Sequence, residues 1–289
     1  MGEANSSVTR VWPVFDTLIS SDPSGEDWLG KLFGLVGRRF GSSPGLMFPA
    51  VGRFDRAIPR NLRSVLGQVR AARLGKLRPC FEADYPPSGR FLRWLIENPG
   101  QLTWPTDTVK SKGKVPRAFG DSTQRMRTQL LAGDHATRSE ALDALALNGP
   151  DGSRRKWWAF EGFTSVDCVL ETDRLLVFVE GKRTEAISAA TDWYPKRNQI
   201  VRNVEVASCA AKESGKDFGV ILCAETHVEL PERAFKEGLP HLSESEQQAL
   251  RTHYWGCITW QQIVDALCPG LELPGNLEDA VRICERLRL

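Results

Sequence analysis

The chain has 289 residues, of which 41% are hydrophobic, enough apolar material for one large domain or two ordinary ones. No uninterrupted apolar run approaches bilayer length, and the start, MGEANSSVTRVWPV, lacks the apolar core of a secretory leader. The expectation is therefore a soluble, cytoplasmic protein. Seven cysteines form no CxxC pair and sit mostly among apolar neighbours, which argues for buried thiols rather than a zinc site.

A net charge of +2 conceals an asymmetry. Residues 1–160 hold 24 Lys and Arg against 15 Asp and Glu, and the remainder holds 14 against 21. The basic residues gather in three clusters: from Arg53 to Arg78, with Arg60, Arg63 and Arg70; from Lys110 to Arg117; and at Arg154, Arg155 and Lys156. Phosphate binding is the functional reading of such clusters, and solvated helix faces are the bland one.

In chain order, residues 1–150 read as a mainly helical region. The spacing of Trp28, Leu29, Leu32, Phe33, Leu35 and Val36 predicts a helix over 26–39. A Gly- and Pro-punctuated loop over 41–59 precedes a helix over 61–74 with its arginines outward. A helix over 88–97 is closed by Asn98-Pro99-Gly100, with Phe91 and Trp94 as packing residues. The stretch 101–120, with two prolines and four basic residues, reads as a mobile loop or linker. Helices are expected over 121–131 and 136–147, the second stopped by Asn148-Gly149-Pro150.

The second half, 151–289, changes character. Residues 174–182 read as a central strand, with Leu175, Val177 and Val179 on one face and Leu176, Phe178, Glu180 and Lys182 on the other. A partner strand over 164–170 carries Asp167, with 171–173 as the turn. A tight symmetric turn would set Asp167 opposite Val177, so bringing Asp167 beside Glu180 calls for a bulge or bend. Residues 183–195 read as a loop over the site, and 196–212 as a helix with Arg197, Gln199, Arg202 and Asn203 in its first turns. A buried strand follows over 217–225, then closing helices over 243–254, 259–267 and 276–287.

Two acids converging in an apolar setting repel each other unless a cation joins them. Hard oxygen ligands select Mg2+ or Mn2+. At Val166-Asp167 and Glu180-Gly181-Lys182 the chain resembles the PD-(D/E)XK nuclease superfamily. That resemblance implies a restriction-endonuclease-like α/β core, a mixed central sheet flanked by helices, and the charge split adds a basic, substrate-clamping helical region over 1–150 before it. It implies a metal-dependent nuclease that hydrolyses phosphodiester bonds, in DNA rather than RNA. Asp167 and Glu180 would be the metal ligands, Glu161 a further ligand and Lys182 the catalytic lysine. Gln199, with Arg197 or Arg202, would contact substrate. Glu140 is an alternative to Glu161. One exonuclease branch of the superfamily carries Gln followed four residues later by Tyr, and here Asn203 stands in the Tyr position. With no long apolar run, no membrane partner is expected, and a homodimer is compatible with the reading. A catalytically silent member of the fold, binding nucleic acid or a protein, is the runner-up, and a hydrolase other than a nuclease the third reading. A solvated strand end with a surface ion pair is the bland alternative to any site.

Overall fold

The computed structural model describes residues 6–22, 25, 27–37, 83–103, 121–171, 175–191, 193–275 and 279. The basic stretch 53–78 with its expected helix 61–74, the Lys110–Arg117 cluster and the closing helix 276–287 lie outside the described residues.

A four-stranded mixed sheet carries the fold. Its strands, in spatial order, are β3 (Cys168–Glu171), β4 (Leu175–Gly181), β5 (Asp217–Ala224) and β6 (Tyr254–Thr259). The β3–β4 pair is antiparallel, and β4–β5 and β5–β6 are parallel. Parallel neighbours require a crossover, and helix α6 (Gln199–Ser214) provides the one between β4 and β5. Asn198 caps its start through Ile200 N–H, and Gly215, at φ 67°, ends it. Two shorter strands, β1 (Ala83–Tyr85) and β2 (Thr164–Val166), form a separate antiparallel pair.

Strand parity fixes the two layers. Leu175, Val177, Val179, Ile221 and Cys223 face a cluster that contains Val11, Phe15, Leu18 and Leu32. Leu176, Phe178, Val220 and Leu222 face Ile200, Val201 and Val204 of α6. All seven residues of β4 are buried, as expected for a strand covered on both faces. The first cluster also receives Trp260 and Ile263 from α9 (Trp260–Leu267). A third cluster joins Phe91 and Leu95 of α3 (Gly89–Glu97) to Leu145 of α5 (His135–Asn148) and to Trp158, Phe160, Trp193 and Tyr194. The loop aromatics Trp193 and Tyr194 are thus packed in a core.

Several expectations need correction. Residues 6–21 form a π-helical turn (Ser7–Val11) running into α1 (Trp12–Ser21), where no element was expected. The signal was present as Val11, Val14, Phe15, Leu18 and Ile19, the spacing of a core-facing helix, and all five are buried. The core does not divide at residue 150, because α1 and α2 (Leu29–Gly37) pack in the same cluster as β4 and β5. Residues 254–259, expected as the end of one helix, a short connection and the start of the next, form the fourth strand of the sheet. A short helix α7 (Glu232–Gly238) precedes α8 (Glu244–Arg251). The expected strand 164–170 is broken at Asp167 into β2 and β3.

Because Phe15 is fully buried beneath the sheet, Phe15→Ala should cost about 3–5 kcal/mol in one cooperative urea transition. A separate early transition with the sheet's stability unchanged would place α1 in an independent unit.

Candidate active site at the end of β4

The register of the sheet builds the site. Cys168 pairs with Val179 and Glu171 with Leu176, so extending the ladder by one residue sets Asp167 opposite Glu180. Val177 pairs with Leu170, and Asp167 is itself a bend between β2 and β3, in keeping with the expected bulge or bend. Glu180 points toward α6 and is 2% exposed, and Asp167 is 9% exposed.

Three donors meet the Glu180 carboxylate. Lys182 Nζ lies 2.8 Å and Gln199 Nε2 2.5 Å from Oε1, and Asn203 Nδ2 lies 2.9 Å from Oε2. Gln199 and Asn203 stand one helical turn apart on α6, so a single face of the helix supplies both. Asn203 is fully buried, and its Oδ1 accepts the Thr164 hydroxyl at 3.0 Å, which fixes the amide so that its NH2 faces Glu180. Asp167 is held from the other side. Its Oδ2 accepts Gly181 N–H at 2.7 Å and its Oδ1 accepts the Ser7 hydroxyl at 2.5 Å. Ser6 donates its hydroxyl to the Gly181 carbonyl at 2.9 Å and its N–H to Glu185 at 3.2 Å. Gly181 has no room for a side chain, since a Cβ there would stand 2.3 Å from Val11 Cγ2.

Burial, and then the Asp167 charge, push the Glu180 carboxyl up to about 7, against the opposing pull of Lys182 and Asn203. Asp167 is raised by burial, with the Ser7 and Gly181 hydrogen bonds and Lys182 working against the rise. The ammonium of Lys182 thus acts on both acids. Fully ionised, the two carboxylates and one ammonium leave a net charge of −1, which a hard dication would relieve. Magnesium is commonly held by one or two carboxylates together with waters and phosphate oxygens, the donor type that Asp167 and Glu180 offer. Each Asp167 oxygen, and Glu180 Oε2, accepts one hydrogen bond, leaving capacity on all three for a further partner. Among the described residues no group of three or more His, Cys, Asp or Glu is placed to hold a metal ion.

Glu161 stands apart from this pair. Its two oxygens accept Nε and Nη2 of Arg197 at 3.0 and 3.2 Å. Arg197 also binds Glu205 at 2.7 Å and the Gly238 carbonyl at 2.8 Å, and lies 3.9 Å over the Phe91 ring. His241 Nε2 meets Glu205 at 2.7 Å. Burial alone would lower Arg197, but Glu161 and Glu205 outweigh it and hold the guanidinium above its ordinary value. Burial alone would raise Glu205, and Arg197 with His241 instead brings it down to about 2. Arg197 is fully buried, so its expected substrate contact has no surface to act from, and Glu161 serves an internal ion pair. Arg202 lies half-buried on the first turn of α6. Glu140 is exposed on α5, away from any core position.

Ser6, Ser7, Thr164 and Glu185 were not expected at the site. Only Asn203 carried a signal, by standing four residues after Gln199 on one helix. No protein-family model matches this chain, and neither a curated protein nor a solved structure gives a significant match.

Between pH 4.5 and about 7 the folded chain holds a proton on Glu180 that an unfolded chain has lost, so stability conferred by the protonated form is lost as pH rises through that window. The metal-free protein should therefore lose stability from pH 5 to pH 8 in urea titrations. Glu180→Gln should flatten that profile by roughly 3 kcal/mol, and an equal slope in the variant would reject the assignment.

Proposed function

We propose that the chain is a divalent-metal-dependent phosphodiesterase acting on nucleic acid, DNA in preference to RNA. A single observation carries the reading: a buried carboxylate, Glu180, lies at the end of a central strand with Lys182 at 2.8 Å, next to the bend at Asp167 that opens the neighbouring strand. A buried acid without such a task costs stability. The PD-(D/E)XK resemblance of Asp167, Glu180 and Lys182 agrees with this, as does the mixed sheet with its α6 crossover.

Asp167 and Glu180 would hold the ion, which when bound supplies Lewis-acid activation of a water and of the scissile phosphate. Gln199 and Asn203 orient the Glu180 carboxylate, and Ser7 and Gly181 N–H orient that of Asp167. Lys182 is the one side chain of the group with an ammonium to spare for developing negative charge on phosphate oxygens, because a single hydrogen bond ties it to Glu180. Its side chain is 12% exposed, consistent with a position at the mouth of the site.

A second reading has its own observation. Ser6 and Ser7 place the start of the N-terminal helix on Gly181, Asp167 and Glu185, which is also how carboxylates anchor a helix terminus in a silent, binding-only protein.

Calorimetry and single-turnover cleavage on the same preparations separate the two. Glu180→Ala should lose both Mg2+ binding and cleavage. Lys182→Ala should keep the ion and lose about two to three orders of magnitude in rate. Absence of cleavage by the wild-type chain with Mg2+ or Mn2+, on duplex and single-stranded DNA, would favour the silent reading.

A further inference from the structure

The third basic cluster, Arg154-Arg155-Lys156, is not used by the site described above, yet the fold invests in presenting it. All three side chains are exposed, in a turn between the 3-10 segment Asp151–Ser153 and the run into β2. Arg155 sits at φ 61°, the one non-glycine residue with positive φ among the described residues. That conformation is unfavourable for a residue with a Cβ, and glycine would adopt it freely. A solvated loop with no task gains nothing from an arginine there.

The turn is pinned from inside. Arg127, 5% exposed, donates Nε to the Trp157 carbonyl at 2.7 Å and Nη2 to that of Lys156 at 3.3 Å. Its guanidinium lies 4.6 Å from the Trp193 ring centroid and 5.6 Å from that of Phe160. Lys156 N–H closes the turn on Ser153 O at 2.9 Å. Arg154 is held outside, 4.0 Å over the Phe163 ring and 3.0 Å from Asp84. Asp84 and Asp151 are the exposed acids nearby in the chain and the sheet, which leaves the strip positive.

Strand β2 connects this strip to the site. Its Ser165 pairs with Asp84, the partner of Arg154, and Asp167 follows its last residue, Val166. Phe163 and Asp167 are four residues apart, at most about 13 Å of chain. One strand of DNA advances about 3.4 Å per nucleotide along the helix axis, so this separation spans at most about four nucleotides.

We propose that Arg154, Arg155 and Lys156 form a pre-built phosphate-docking turn that holds the backbone of a DNA strand a few nucleotides from the Asp167–Glu180 pair. The identity of the ligand rests on the nuclease reading, while the existence of a docking surface rests on the turn itself. Arg155 and Lys156 are the two groups without a carboxylate partner among the described ion pairs, so they contact phosphates directly. Arg154 is the positioning member, fixed between Phe163 and Asp84.

The test uses the full chain without divalent ions, with fluorescence anisotropy on a labelled DNA duplex and on an RNA duplex across a salt series. Removing two phosphate contacts should reduce the slope of log K against log salt by about 1.8 in Arg155→Gln/Lys156→Gln. The control Lys212→Gln/Lys236→Gln, with the same loss of charge on α6 and α7, should leave the slope unchanged. Arg155→Gly keeps the left-handed turn and removes one cation, so its slope should fall by about 0.9 with Tm not lowered. An unchanged slope in the double variant, an equal fall in the control, or a change confined to RNA overturns the proposal. Cleavage with an unchanged slope sinks the turn and spares the nuclease reading. Turn-dependent binding without cleavage under any divalent ion does the reverse.

Discussion

The desolvation of Glu180 governs the arrangement around it. A carboxylate taken out of water needs donors or a cation, and here it receives them from three places: Lys182 two residues on, and Gln199 and Asn203 from the crossover helix. The crossover is right for this because β4 and β5 run parallel, so α6 begins beyond the end of β4 and lies back along the sheet. The capped start of α6 therefore falls beside Glu180. A hairpin at the same point would have left the carboxylate in solvent.

A second buried charge system fixes that helix. Arg197 just precedes α6 and Glu205 lies within it, bound to each other, to Glu161 and, through Glu205, to His241. Breaking such a network by removing one member leaves an uncompensated buried charge. The expectation that Glu161 is a ligand and Arg197 a substrate contact came from reading charges near an acid pair as functional. The geometry assigns both to holding the helix that carries Gln199 and Asn203, which is a supporting role one step removed from the chemistry.

Much of this was legible where periodicity was strong. The two faces of β4 followed from alternation, and the cores around Trp28 and Phe91 followed from helical spacing. A register that sets Asp167 level with Glu180 and not with Val177 was expected to need a bulge or bend, and Asp167 is a bend between β2 and β3. Strand β6 was missed because YWGCIT contains Gly256, at φ 116°, and lies between two well-capped helices whose signals ran together. Helix α1 was missed because its sequence was weighed only as a leader. The contributions of Ser6 and Ser7 had no local signal at all, since a serine that binds a partner 160 or 175 residues away looks in sequence like any other serine.

That separation has a consequence for biosynthesis. As the chain grows from its N-terminal end, residues 6–21 emerge long before β4, β5 and α9, whose side chains cover Val11, Phe15 and Leu18 in the finished fold. At about 5–20 residues per second, that apolar stripe waits on the order of ten seconds to most of a minute for its cover. During that interval the ribosome carries a sticky helix with nowhere to dock, a natural substrate for a chaperone. The same delay means that no partial chain ending before Glu180 holds a completed acid pair, and none ending before Asn203 holds the donors that orient it.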